Sequence, residues 1–196
     1  MEDRERNEIL ISWLTISVAF AWAFGGGIFQ FGDFFRLMPI VLVATGTGFI
    51  FHELAHKYVA IRFGAHAEYR MWQSGLVLAV VMAAVFGVVF AAPGAVYIFS
   101  DNLSRKQNGF ISLAGPLTNI VLGCLFTLAY LFFHPPELLG LITAYGASIN
   151  FGLATFNLIP IFPLDGSKVF TWNPLVWGLA FFGTILGSKA VGLGFF

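Results

Sequence analysis

Residues 49–58 have the sequence FIFHELAHKY, which places two histidines and one glutamate inside a strongly apolar stretch. Side chains four positions apart lie on one face of an α-helix, so His52 and His56 can direct their imidazole rings at one point, with Glu53 beside them. This is the pattern H-E-x-x-H, in which both histidines bind zinc and the glutamate accepts a proton from the water that the metal activates. The stretch therefore predicts a helix that carries a metal site.

The apolar surroundings make a chance occurrence of this pattern a poor explanation. A charged residue at the centre of a membrane helix costs about 2.5–3.5 kcal/mol on insertion scales, and ionisable residues there usually have a function. Three of them at neighbouring positions are hard to explain as packing. We therefore interpret His52, Glu53 and His56 as functional residues.

Composition places the whole chain in a membrane. Hydrophobic residues make up 58% of the sequence and charged residues only 10%, whereas about 25% charged is usual for soluble domains. At roughly 20 residues per spanning helix, the 196 residues allow five or six passes. We predict an all-α polytopic membrane protein with a single domain over residues 1–196. The formal net charge is zero, so we expect the lipid bilayer as a partner and no nucleic acid.

Apolar runs and their breaks divide the sequence into spans. We predict spans over residues 9–29, 37–63, 109–133, 138–159 and 174–196. The H-E-x-x-H pattern lies in the later half of the second span, which puts the metal within the membrane. Residues 64–70 are polar and are interpreted as a loop, and residues 94–98 are interpreted as a short strand.

The apolar stretch 75–92 is ambiguous. It could cross the membrane as a sixth span, or it could enter and leave on one side as a re-entrant segment. Basic residues concentrate in cytoplasmic loops, and a re-entrant segment keeps Lys57, Arg62, Arg70, Arg105 and Lys106 on one side. We therefore predict five spans plus a re-entrant segment. We expect the protein in the cell membrane, with its N-terminus in the cytoplasm. Six spans are the alternative.

A catalytic zinc has three protein ligands, so the two histidines need a partner. Beyond the N-terminal tail and the motif, the acidic residues are Asp33, Glu68, Asp101, Glu137 and Asp165. Four of these lie in polar loops. Asp165 instead ends the run NLIPIFPLDG at residues 157–166, where two prolines break the helix. From the residues alone, an interfacial aspartate before a turn glycine explains Asp165 equally well.

Three motifs together resemble one family. HELAH at 52–56, AGPLTN at 114–119 and NLIPIFPLDG at 157–166 are similar to motifs of the site-2 protease family of intramembrane zinc metalloproteases. The resemblance covers a catalytic core of about residues 37–170. It implies one zinc ion per chain with His52, His56 and Asp165 as ligands, and Glu53 as the general base.

The resemblance also implies roles for two asparagines and one strand. Asn157 would lie near the substrate carbonyl or its oxyanion, and Asn119 would belong to the core packing near the site. The family's substrate-binding β-hairpin would correspond loosely to residues 93–100. Outside these motifs, Asn150 is interpreted as an interhelical hydrogen-bonding residue, and His66 and His134 as solvated turn residues.

The leading functional hypothesis is a zinc endopeptidase that cleaves the transmembrane segment of single-pass membrane proteins, in regulated intramembrane proteolysis. A zinc-binding membrane transporter is one alternative, because buried histidines and aspartates also line ion paths. A membrane binding protein without proteolytic activity is another. Glu53 favours hydrolysis, since transport needs metal ligands but no adjacent proton acceptor.

Overall fold

The computed structural model describes residues 2–26, 31–89, 93–100, 102–133 and 135–191. Its elements follow in the order α1 (Asp3–Phe24), α2 (Phe31–Thr45), a π-helical turn (Gly46–Ile50), α3 (Phe51–Arg62), β1 (His66–Met71), α4 (Gln73–Phe86), β2 (Gly94–Phe99), α5 (Arg105–Phe133), α6 (Glu137–Asn157), α7 (Asp165–Trp172) and α8 (Pro174–Val191). The predicted all-α polytopic fold with a short β element is confirmed. Asp101 and His134 lie outside the described residues.

Four helices in the described part of the chain are long and apolar enough to cross a membrane. They are Asp3–Phe24, the continuous helix Gly32–Arg62, Arg105–Phe133 and Glu137–Asn157. The continuous helix joins α2, the π-helical turn and α3, and it carries the H-E-x-x-H pattern near its end. The last predicted span corresponds to α8, which has 18 residues. α8 is not one of these four helices, so its crossing of the membrane stays a prediction.

The π-helical turn lies directly before the metal-binding pattern and against α6. A Cβ added at Gly48 would lie 3.0 Å from Leu153 Cδ1 and 3.4 Å from Asn150 Oδ1. Glycine at this position therefore lets α6 approach the turn closely. Short π-helical segments within α-helices often occur at functional sites, and this one lies directly before α3.

The two strands form an antiparallel pair in which His66 is opposite Phe99 and Met71 is opposite Gly94. The predicted strand over 94–98 is confirmed. The predicted loop over 64–70 is wrong, because most of it forms β1. Alternate residues of β1 such as Ala67 and Tyr69 are buried, while the charged residues between them gave the segment its polar character.

The segment that contains α4 leaves and returns at the same end of this sheet. The chain leaves β1 after Met71 and returns at Gly94, which is paired with Met71. With 14 residues, α4 is about 21 Å long at 1.5 Å per residue, shorter than the roughly 30 Å hydrocarbon core. The geometry therefore favours the re-entrant interpretation of residues 75–92 over a sixth span.

The break after α6 brings the chain back to the metal helix. α6 ends at Asn157 and α7 begins at Asp165, as the two prolines between them predict. Trp177 at the start of α8 donates from its indole Nε1 to the Leu158 carbonyl over 2.7 Å. α8 thus contacts the irregular segment. Asp165 is the first residue of α7, and its carboxylate lies beside the histidines of α3.

Candidate metal centre

The three residues predicted as metal ligands lie together. His52 and His56, one turn apart on α3, have their Nε2 atoms 3.0 Å from each other. Asp165 Oδ2 lies 3.5 Å from His52 Nε2 and 3.0 Å from His56 Nε2. Both histidines are buried. Elements separated by about a hundred residues thus present two imidazoles and one carboxylate to a common point.

Hydrogen bonds on the far side of each ring fix the histidines. His52 Nδ1–H donates to Asn119 Oδ1 over 2.5 Å, and His56 Nδ1–H donates to the Ile111 carbonyl over 2.7 Å. With the protons on Nδ1, each Nε2 keeps a lone pair directed at the common point. Partners of this kind orient metal-binding histidines and set their tautomer.

Asn119 is itself held in one orientation. Its Nδ2 donates to the Gly48 carbonyl and to Asn150 Oδ1, each over 2.9 Å. Its oxygen must therefore face His52. The interhelical hydrogen bond predicted for Asn150 is confirmed. The resemblance implied that Asn119 belongs to the core packing near the site, but its contact with His52, 67 positions away, was not predicted.

The donor set suits a metal ion. Three atoms with lone pairs, all within 4.8 Å of one another, repel each other unless a proton or cation lies among them. Two imidazole nitrogens and one carboxylate oxygen form a common protein ligand set for catalytic zinc. The residues present therefore fit the zinc ion that the sequence predicts.

Gly115 provides the space for this group. An added Cβ at Gly115 would lie 2.6 Å from His52 Nε2 and closer still to His56 Nε2. Any side chain there would enter the volume between the two rings. The glycine of the AGPLTN motif therefore lets α5 pass directly beside the metal ligands.

The metal group opens into a cavity of 440 Å³. Glu53 and Asn157 line it together with the three metal-binding residues. Glu53 is 7% exposed, and no group in the described part of the chain hydrogen-bonds to its carboxylate. Asn157 Nδ2 donates to the Leu153 carbonyl over 2.9 Å, which uses one of its two N–H groups.

Two basic residues of the cavity wall were not predicted as site residues. Lys168 Nζ lies 3.9 Å from Asp165 Oδ1, and Arg70 enters from β1. Arg70 is paired with Glu68, which also accepts a hydrogen bond from His66 over 2.7 Å. That hydrogen bond, together with the Arg70 charge, lowers the pKa of Glu68. His66 was predicted as a solvated turn residue, but it is the first residue of β1.

The backbone of β2 forms another wall of the cavity, from Gly94 to Ile98. Trp72 N–H donates to the Pro93 carbonyl over 2.8 Å, and facing residues of an antiparallel pair alternate between bonded and non-bonded positions. The pairs of Met71 with Gly94 and Tyr69 with Val96 are therefore non-bonded. The backbone groups of Gly94 and Val96 consequently point away from β1.

Long apolar helices around an H-E-x-x-H helix and a converging aspartate define a class, that of polytopic membrane metalloproteins. The chain is 50% identical over 167 residues to a protein named as a zinc metalloprotease of Methanocaldococcus jannaschii, with 85% of each chain covered. It therefore belongs to this family of zinc metalloproteases.

Two further relatives carry similar names. YwhC of Bacillus subtilis is 28% identical over 149 residues, which cover 68% of each chain. Rip2 of Mycolicibacterium smegmatis is 31% identical over 131 residues, which cover 59% of this chain and 49% of Rip2. Both are named as zinc metalloproteases. No family model matches the chain, and no solved structure matches it.

Proposed function

We propose that this chain is an intramembrane zinc endopeptidase that cleaves the transmembrane segment of single-pass membrane proteins. The observation that carries the proposal is the position of the metal group. His52, Glu53 and His56 lie on a continuous helix, Gly32–Arg62, that is long and apolar enough to cross a membrane. A peptide bond that reaches this group must therefore come from a segment at membrane depth. We assign this activity to one membrane-embedded domain over residues 1–196.

One zinc ion per chain would be held by His52, His56 and Asp165. Bound there, zinc would supply Lewis acidity that polarises a carbonyl and makes water acidic near neutral pH. Glu53 takes the proton from the attacking water and delivers it to the leaving amine. Its carboxylate suits this role because it lines the cavity without a protein hydrogen-bond partner in the described residues.

Asn157 assists at the carbonyl. One N–H of its amide is bound to the Leu153 carbonyl, and the second remains available for the oxygen of the substrate. A donor placed where negative charge develops stabilises the transition state more than the ground state. Its location in the cavity that contains the metal group supports this role.

The substrate must be extended when it is cut, because a helix protects its peptide bonds with its own hydrogen bonds. Peptides commonly bind in extended form by adding a strand to the edge of a sheet. β2 offers such an edge, since the backbone groups of Gly94 and Val96 point away from β1 and line the cavity. Pairing with β2 would hold the unwound segment beside the metal group.

We assign the protein to the cell membrane with its N-terminus in the cytoplasm. The basic side chains of the α1 start, the α3 end and the α5 start then all lie on the cytoplasmic side. Arg36 lies on the opposite side, where its Nη2 is 3.3 Å from Glu137 Oε1 at the start of α6. That contact supports a shared side for the starts of α2 and α6.

The test compares wild type with Glu53→Gln, measuring zinc content and cleavage of a model single-pass substrate in liposomes. The amide has nearly the same volume as the carboxylate but cannot accept the proton. We expect zinc to be retained and cleavage to fall by about 10²-fold or more, since general base catalysis contributes about 10²–10⁴-fold. Asp33→Asn, which removes an exposed carboxylate on α2, is the matched control and should cleave normally.

Cleavage by Glu53→Gln at the wild-type rate would contradict this mechanism. If wild type itself leaves the substrate intact while zinc crosses liposomes that contain it, the transporter hypothesis replaces the protease. If it neither cleaves nor transports, a binding role without proteolysis is favoured.

A further inference from the structure

Two buried carboxylates occur at the beginning of α1, where the sequence shows only a charged N-terminal tail. Glu5 is 1% exposed and Glu8 is 7% exposed. Acidic residues are almost never fully buried unless they are paired. Their burial therefore requires partners that compensate the lost hydration.

Those partners include the backbone of β1. Glu5 Oε1 accepts the N–H of Tyr69 over 3.0 Å, and Glu8 Oε2 accepts the N–H of Met71 over 2.9 Å. Tyr69 also donates from its hydroxyl to Ser12 Oγ over 2.9 Å, one helical turn further along α1. One face of α1 thus contacts one strand at three points.

Both N–H groups belong to the edge of β1 that faces away from β2. Tyr69 and Met71 are two residues apart, so their backbone groups point to the same side of the strand. Glu5 and Glu8 bind that side at the positions where a third strand would bind. Hydrogen bonds from N–H groups to a carboxylate are roughly twice as strong as those to neutral acceptors. In the described part of the sheet, these contacts cover the outer edge of β1. The outer edge of β2, towards the cavity, is left open.

Glu5 connects the same strand to the metal helix. Lys57 Nζ donates to Glu5 Oε1 over 2.6 Å and to Oε2 over 2.5 Å. Lys57 directly follows His56 on α3. A single carboxylate therefore bonds to the backbone of the sheet and to the helix that carries the metal-binding histidines.

We propose that Glu5 and Glu8 are positioning residues that fix the free edge of β2 relative to the metal group. Because they cover the outer edge of β1, an extended substrate can add only to β2. Because Glu5 also binds Lys57, the sheet cannot slide along α3 without breaking an ion pair. The catalytic significance of this arrangement rests on the function proposed above.

The experiment compares two triple variants of the full chain in detergent. Glu5→Gln/Glu8→Gln/Lys57→Gln removes the charges but keeps acceptors for both N–H groups. Glu5→Ala/Glu8→Ala/Lys57→Gln removes the charges and the acceptors. Asp3→Asn, at an exposed position of the same helix, is the control, and the single variant Glu8→Ala serves if the alanine triple variant does not fold. Zinc content, kcat and KM for a single-pass substrate, and amide hydrogen exchange of residues 66–72 are measured.

In the alanine variant we expect amide exchange in β1 to rise by about tenfold or more. Zinc content should stay at the wild-type value, KM should rise by about tenfold, and kcat should change by less than about threefold. A general loss of structure would lower zinc content and kcat as well. The glutamine variant keeps both acceptors but loses the ion pair with Lys57, so its amide exchange and KM should lie between those of wild type and the alanine variant.

Unchanged exchange in the alanine variant would show that the carboxylates do not hold β1. Faster exchange with an unchanged KM would show that fixing β1 through Glu5 and Glu8 does not affect substrate binding. Equal losses in both triple variants would assign the effect to charge rather than to the backbone acceptors. If wild type does not cleave the substrate, the proposed function fails, and amide exchange alone still decides whether Glu5 and Glu8 hold the strand.

Discussion

At the scale of single residues, the metal group depends on positions that carry no charge. Asn119 donates to Gly48 and Asn150, which leaves its oxygen for the Nδ1–H of His52. Gly115 leaves room for both imidazole rings. Partners of this kind change metal affinity by about 10–100-fold when they are lost. The neutral residues of α5 therefore contribute to the site together with the proposed ligands on α3.

Gly115→Ala should weaken metal binding. The new methyl group would lie within 2.6 Å of His52 Nε2, so the rings could no longer converge with Asp165. We expect zinc affinity to fall by about tenfold or more, close to the loss in His52→Ala. The measurement is zinc content after dialysis against a weak chelator.

Gly178→Ala is the matched control for this substitution. A Cβ at Gly178 has no atom within 4 Å among the described neighbours, so zinc content should be unchanged. Full zinc retention in Gly115→Ala would show that the rings can move aside, and Gly115 would then have no specific role at the site.

The sequence predicted these residues unequally. His52, Glu53 and His56 follow from spacing within one helix. Asp165 as a ligand was implied by the resemblance of the NLIPIFPLDG motif, since the residues alone explained it equally well as an interfacial aspartate. The structure brings the three proposed ligands together. The contact between Asn119 and His52 could not be predicted, because it depends on how α5 crosses α3. The same holds for Glu5 and Glu8, which read as solvated charges until the strand they bind is known.

At the scale of elements, the sheet has two different edges. α1 covers the edge of β1, and the edge of β2 faces the cavity. β2 was predictable because the residues from Val96 onwards are β-branched or aromatic and follow a Pro-Gly break. β1 was not, because its charged residues suggested a loop and its partner lies beyond a whole helix.

Val96→Pro should weaken substrate binding while the fold is retained. Proline removes the N–H that points away from β1 and is tolerated on an edge strand. We expect KM to rise about two- to tenfold, because a backbone hydrogen bond contributes roughly 0.5–1.5 kcal/mol. Steady-state kinetics on a single-pass substrate measure the change.

Val96→Ala separates the loss of the backbone N–H from the loss of the valine side chain. It removes most of the side chain but keeps the N–H, so KM should stay close to wild type. Equal KM values for both variants would argue that the substrate does not pair with this residue.

At the scale of the whole molecule, the pairing of Met71 with Gly94 favours one path through the membrane. A chain that leaves and returns at paired residues enters and exits on one side. The ion pair between Arg36 and Glu137 joins the starts of two spanning helices, α2 and α6. Composition predicted a polytopic protein, and the placement of the basic residues predicted re-entry for residues 75–92. The strand pairing and the length of α4 favour the same path.

Cysteine labelling tests this topology in a Cys124→Ala background, since Cys124 is exposed. His66→Cys and Ser104→Cys should both react with an impermeant reagent from the cytoplasmic side. Arg36→Cys should react only from the other side. Labelling of the first two from opposite sides would mean that α4 crosses the membrane and that the protein has six spans.

The π-helical turn at Gly46–Ile50 has a consequence for how this helix tolerates length changes. Each residue advances a regular α-helix by about 100°, whereas a π-helical turn closes its hydrogen bonds over one more residue and therefore rotates less per residue. The turn thus holds one extra residue over nearly the same rotation, so a one-residue deletion that restored regular α-helix there would leave His52 and His56 facing the same neighbours. A single-residue change of length can be taken up at this turn while the histidines of HELAH keep their direction towards Asp165.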